Sequence, residues 1–128
     1  MEITIGMNAT VTTLVEPEDT ALEVGSGNLR VYATPCMVAL MEGAACEAIA
    51  DAIPEGKSSV GIELNIQHIS ATPVGLEVSA TAEVTSVDGN IITFSLCASD
   101  EAGQIGVGTH KRAIVSEQRF LDKTYSKL

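Results

Sequence analysis

Twenty residues in the first half of the chain limit what it can become. From Thr34 through Pro35-Cys36-Met37-Val38-Ala39-Leu40-Met41-Glu42-Gly43-Ala44-Ala45-Cys46 and on to Ile53, nearly every face of a helix would be apolar. A helix of that kind is normally buried on all sides rather than laid on a surface. Thr34 followed by Pro35 is a helix-start signal, because a threonine hydroxyl accepts from orphan N–H groups and proline fits the first turn. Pro54-Glu55-Gly56 stops the helix, so the expected span is 35–53. Glu47 and Asp51 are four apart and share one face, the wet one. Glu42 lies about 140° from Glu47 at roughly 100° per residue, which points it into the apolar side. An unpaired buried carboxylate is costly, so Glu42 needs a partner or a task.

The rest of the chain reads as strands. Residues 7–15 are rich in β-branched side chains after a loose lead-in over 1–6. Residues 20–33 hold Gly25-Ser26-Gly27-Asn28, a flexible loop that either covers a binding site or simply connects. Four strands follow the helix, at about 58–69, 75–87, 91–99 and 104–116, with a hairpin turn at Asp88-Gly89-Asn90. Simple alternation puts Ser58, Val60, Ile62, Leu64, Ile66 and His68 on one face of the first. It puts Ile105, Val107, Thr109, Lys111, Ala113 and Val115 on one face of the last. Gly106 and Gly108 on the opposite face suggest a close backbone approach or a bulge. His110 and Arg112 share that opposite face, where solvent is the plain expectation. Residues 117–126 suit a short terminal helix. The order is an α+β domain over residues 1–128, a long central helix wrapped by an antiparallel sheet of about five strands. That is the hot-dog arrangement.

Composition excludes several function classes. Net charge is −10, and basic residues do not cluster, which disfavours nucleic acid. No apolar run reaches membrane-spanning length, and the N-terminus lacks a signal-peptide pattern, so a cytoplasmic protein is expected. Three cysteines, Cys36, Cys46 and Cys97, with no C-x-x-C pair, argue against disulfides and a zinc site. They read as small buried hydrophobes; Cys36, at the helix start, is the better candidate for a nucleophile. An anionic ligand would need the few cations to gather locally, with Lys57, Lys111 and Arg112 the candidates.

His68 is a second polar intruder on an apolar face, just before Ser70-Ala71-Thr72-Pro73. A hydroxyl, a carboxylate and an imidazole are parts of an acyl-transfer site. No G-x-S-x-G elbow is present. Taken together, Ala33-Thr34, Met37-Val38 and Leu40-Met41-Glu42 resemble the central helix of hot-dog thioesterases, closest to the fluoroacetyl-CoA thioesterase family. Asn65 to Gly75 resembles that family's histidine strand and turn, and Gly106 to Ala113 its last strand. The match runs in order over residues 30–116.

The resemblance implies hydrolysis of a small acyl-CoA thioester, with coenzyme A entering as part of the substrate and no separate cofactor or metal. It implies catalytic roles for Thr34, Glu42 and His68, substrate contacts at Gly61 and Arg112, and a site at a homodimer interface, with a tetramer possible. Members dedicated to the fluorinated substrate carry phenylalanines in lid and pocket. Here Cys36 sits two after Thr34, Phe94 and Phe120 are the only phenylalanines, and Tyr32 is the sole aromatic near the helix start. Thr34 and Glu42 are also about 12 Å apart along one helix axis, so a site drawn from two chains is one solution. The rival expectation is a non-catalytic acyl-CoA or small-ligand binding protein on the same fold.

Overall fold

The computed structural model describes residues 2–128. Five antiparallel strands form one sheet in the order β1-β3-β4-β5-β2. They are β1 (Asn8–Leu14), β2 (Lys57–His68), β3 (Glu77–Asp88), β4 (Ile91–Asp100) and β5 (Gly103–Ser116). Three helices accompany them: α1 (Ala21–Val24), α2 (Thr34–Ile49) and α3 (Glu117–Tyr125). Single 3-10 turns precede α1 at Pro17–Asp19 and follow α2 at Ala50–Ala52.

The expected central helix is α2, but it is not buried on all sides. Met37, Met41, Ala44, Ala45 and Ile49 are fully buried against the sheet, chiefly against β3 and β1. Each buried Met or Ile contributes on the order of 1.5–3 kcal/mol of transfer free energy. Ala39, Gly43 and Cys46 stay exposed, as do Glu47 and Asp51. An apolar helix in a sequence therefore overstates burial when its outward residues are small.

The β1 edge is tied by side chains as well as backbone. Thr10 pairs with Thr81 and Thr12 with Ser79, and both hydroxyl pairs lie at 2.7 Å. The lead-in is not loose where it is described. Ile3 packs against the core and the Gly6 N–H donates to the Val84 carbonyl; Met1 lies outside the described residues. The connection over 20–33 also carries more structure than a flexible loop. The Thr20 hydroxyl accepts from Glu23 N–H at the start of α1, and Gly25 closes it in a left-handed conformation.

At the other edge, β2 pairs with β5 alone. A bulge between Gly61 and Glu63 shifts its register. One extra residue reverses the phase of alternation. The simple assignment therefore fails before the bulge. Ser59 and Gly61 face inward, Ile62 is 52% exposed, and the inward phase resumes at Leu64, Ile66 and His68. On β5 the expected faces are corrected too. Gly106, His110 and Arg112 are buried, while Lys111 points out to Glu63. The close approach suggested by the glycines is present: a Cβ on Gly106 would stand 2.6 Å from Met37 Sδ.

Candidate active site

Thr34 is the first residue of α2 and His68 the last of β2. The Thr34 hydroxyl lies 2.8 Å from His68 Nδ1. The hydroxyl is not spent on capping, as the sequence suggested; Ala33 occupies the cap position, and its carbonyl accepts from Met37 N–H. Backbone bonds fix both partners. Ala33 N–H donates to Asp19 O, Tyr32 N–H to Thr72 O, and Ile69 N–H to Ile105 O. Thr72 in turn donates from its buried hydroxyl to Asp100 at 2.7 Å, which holds the turn after His68. A cleft of about 270 Å³ opens here, with Thr34, His68, Ser70 and Tyr32 in its wall and Ser26 of the 20–33 segment at its rim.

His68 Nε2 is a buried polar atom without a hydrogen-bond partner, and no other such side-chain atom occurs among the described residues. Burial lowers the His68 pKa, partly offset by the backbone of Ser70. The imidazole is thus held as a neutral base against a hydroxyl, with its second nitrogen unused. Nucleophile–base pairs have this geometry.

Glu42 does not join them. Its carboxylate faces Arg112 Nη1 at 3.6 Å and His110 Nε2 at 3.9 Å, and its side chain is 40% exposed rather than buried. Gly61 lies directly beneath: a Cβ there would stand 2.7 Å from Glu42 Oε2. A side chain at this position would push the Glu42 carboxylate aside. Arg112 is buried and bound on several sides, donating from Nε to Ser59 Oγ, from Nη2 to Ser59 O and from Nη1 to His110 Nε2.

A sequence model described as fluoroacetyl-CoA-specific thioesterase matches residues 15–118. The chain belongs to the fluoroacetyl-CoA-specific thioesterase family. A fluoroacetyl-CoA thioesterase of Streptantibioticus cattleyicolor is 40% identical over 97 residues, 76% of this chain and 70% of that protein. A crystal structure of the fluoroacetyl-CoA thioesterase FlK superposes with a TM-score of 0.93 at 33% identity, covering 100% of this chain and 99% of the other. A FlK point mutant in complex with acetyl-CoA gives 0.93 at 33%, over 98% of both chains. A thioesterase superfamily member from Thermus thermophilus gives 0.86 at 28%, again over 98% of both. The hot-dog fold and the thioester hydrolase class expected from the sequence are thereby borne out.

Within this family member the five expected site residues fall into two clusters, each built around one residue of β2. Thr34 and His68 meet at the C-terminal end of β2; Glu42, Gly61 and Arg112 meet toward its middle. The three candidate cations do not come together within the chain. Lys57 pairs in register with Ser116 at the far end of β2, Lys111 lies on the outer face, and Arg112 is engaged by protein. The cysteine readings are corrected as well. Cys46 is exposed, and burial with the nearby Asp19 raises the Cys36 thiol pKa, the wrong direction for a nucleophile. Among the described residues no group of three or more His, Cys, Asp or Glu side chains is placed to hold a metal, and no helix is long and apolar enough to cross a membrane. Sequence reasoning missed Ser59 as a ligand of Arg112 and His110 as a buried member of its cluster. The parity of His110 with Gly106 and Gly108 was the available signal.

Proposed function

We propose that the protein hydrolyses small acyl-CoA thioesters at a site completed by two copies of the chain. The contact between Thr34 Oγ1 and His68 Nδ1, with Nε2 left unpartnered, carries the reading. With Nδ1 accepting the hydroxyl proton, Nε2 carries a hydrogen that needs an acceptor. Glu42 of the same chain faces Arg112 instead, whereas the partner's Glu42 supplies one.

The free edge of β2 supports this. An unpaired edge strand is a template for a second strand. Pairing β2 antiparallel with its own copy about a two-fold axis at Asn65 sets Ile66 against the partner's Leu64. The bulged Ile62 and Glu63 together then oppose the partner's Gln67. His68 consequently falls opposite the partner's Gly61, and the inward-facing residues of both strands coincide only because the bulge absorbs one position. Directly opposed side chains stand about 4.5–5.5 Å apart at Cβ. That brings the imidazole to the carboxylate above the partner's Gly61.

In this site Thr34 Oγ attacks the thioester carbonyl as His68 takes its proton. Collapse of the tetrahedral adduct expels the coenzyme A sulfur, which receives that proton, and leaves an acyl group on Thr34. Water then attacks the acyl carbon, His68 accepts a water proton, and Thr34 is released and reprotonated with the free acid. Glu42 orients the imidazole and offsets its charge, while Arg112 holds Glu42 and the backbone at Gly61 lets the acyl group approach. The cleft of about 270 Å³ has room for a small acyl group. The segment at its rim has no phenylalanine, so the fluorinated acyl group is not singled out.

Thiol release from a panel of short acyl-CoAs, including acetyl- and fluoroacetyl-CoA, tests the reading. Turnover of one or a few, abolished in His68→Ala, is expected. Tight binding without turnover would replace hydrolysis with a ligand-binding role.

A further inference from the structure

His110 is buried to 1% exposure, yet the proposed reaction gives it no step. Its surroundings fix its protonation state. Nδ1 lies 2.9 Å from the Glu63 carbonyl oxygen, which can only accept, so Nδ1 carries a hydrogen. Nε2 lies 3.1 Å from Arg112 Nη1, which can only donate, so Nε2 holds a lone pair. A proton on Nε2 would face a guanidinium N–H with no acceptor between them. The 3.9 Å approach of Glu42 Oε2 to Nε2 is therefore no ion pair. Phe94 stacks beside the ring at 6.0 Å between centroids and holds its plane.

We infer that His110 is a positioning residue, an Nδ1–H imidazole whose Nε2 lone pair holds the Arg112 guanidinium toward Glu42. This rests on the thioesterase reading, in which Glu42 serves the catalytic base. Ser59 binds one edge of the planar guanidinium through Nε and Nη2, and the His110 lone pair holds the remaining nitrogen, Nη1, so that all three corners are fixed. The imidazole binds one hydrogen of Nη1 and leaves the other turned toward Glu42. The Glu63 carbonyl that anchors the imidazole lies at the β2 bulge, so the distortion that reverses the strand's phase also seats His110. Burial lowers the His110 pKa, in keeping with a ring that stays uncharged.

The test uses the full chain and two variants, His110→Phe, which keeps an aromatic ring but has no lone pair, and His110→Gln, whose amide oxygen can still accept from Arg112. Nitrogen NMR of the histidines should show His110 as the neutral Nδ1–H tautomer at about pH 8 and still neutral at the ordinary imidazole value of 6.5, with the Arg112 guanidinium in slow rotation. Rotation about the Cζ–Nη1 bond should quicken in His110→Phe and stay slow in His110→Gln, with Nε and Nη2 held by Ser59 in both. With acyl-CoA substrate, kcat should fall at least tenfold in His110→Phe, with KM little changed and partial recovery in His110→Gln. Adding Glu42→Gln to His110→Phe should cost no more than Glu42→Gln alone, because the two act as one unit. An Nε2–H or charged His110, or independent multiplication of the two losses, would overturn the inference. If the unaltered protein turns over no acyl-CoA, the proposed function fails, while the tautomer and guanidinium signals still decide the role of His110.

Discussion

The middle and the C-terminal end of β2's inward face solve opposite problems. Around Gly61 the polar groups are mutually satisfied: Arg112 meets Ser59 and His110, and Glu42 meets Arg112. At His68 satisfaction stops halfway, with one nitrogen on Thr34 and the other buried without a partner. Buried polar groups are almost always paired, so an orphan points to something that arrives. A finished cluster is suited to hold a charge in place, and an unfinished one to receive a substrate and a second chain.

Substitutions at the two clusters should separate these roles. The largest effect is expected at the unfinished one. His68→Ala should lower kcat/KM by on the order of 10³–10⁴-fold, since it removes the proton acceptor, with little change in melting temperature. Unaltered turnover would remove His68 from the chemistry. At the finished cluster, Glu42→Gln should cost about 10²-fold while the fold is kept, because the neutral amide neither offsets the imidazolium charge nor binds Arg112 as strongly. A loss equal to that in His68→Ala would make the two clusters equals rather than base and support. Gly61→Ala should cost roughly tenfold through displaced geometry, since its Cβ would stand 2.7 Å from Glu42 Oε2. A crystal structure of that variant with Glu42 unmoved would contradict the close packing.

The smallest effect concerns pH. His68 works as a base only when neutral, and burial lowers its pKa below the ordinary value of 6.5. Activity should therefore be present above that value and be lost as pH falls through the lowered pKa, so kcat/KM should show an acid-side midpoint below 6.5. The same shift makes folding stability fall on acidification, since the unfolded chain binds the proton more readily than the folded one. A midpoint above 6.5 would mean that the carboxylate of the partner's Glu42, which favours the charged imidazole, outweighs burial.

Much of this architecture was legible in the chain. Strand alternation around Asp88-Gly89-Asn90, the Thr34-Pro35 helix start and the resemblance of the Thr34, Glu42 and His68 segments led to the hot-dog fold and its family. Register was not legible. A bulge changes the side on which a residue falls, and nothing in the alternation of Ser58, Val60 and Ile62 announces that Gly61 turns inward. The burial of His110 and Arg112 was within reach, since both share the face of Gly106 and Gly108 on β5, but two polar side chains there read more simply as solvent-facing. Thr34 was misread in its detail, because a hydroxyl at a helix start serves a cap or a neighbouring imidazole equally well, and only the position of β2 decides. The surroundings of Cys36 were equally tertiary: a helix start lowers a thiol pKa, and here burial and Asp19 outweigh it.

The central claim is that the satisfied cluster of one chain completes the unsatisfied cluster of another. Mixing two strongly impaired variants tests it most directly: Glu42→Gln and His68→Ala, combined at equal concentration after subunit exchange. A mixed dimer would join Thr34 and His68 of one chain to an intact Glu42 of the other and have one working site of two. Half the dimers would be mixed, so thioesterase activity should recover to about a quarter of the unaltered protein's. A mixture no more active than its components, with exchange confirmed, would place Glu42 and His68 in the same chain's site and contradict the account.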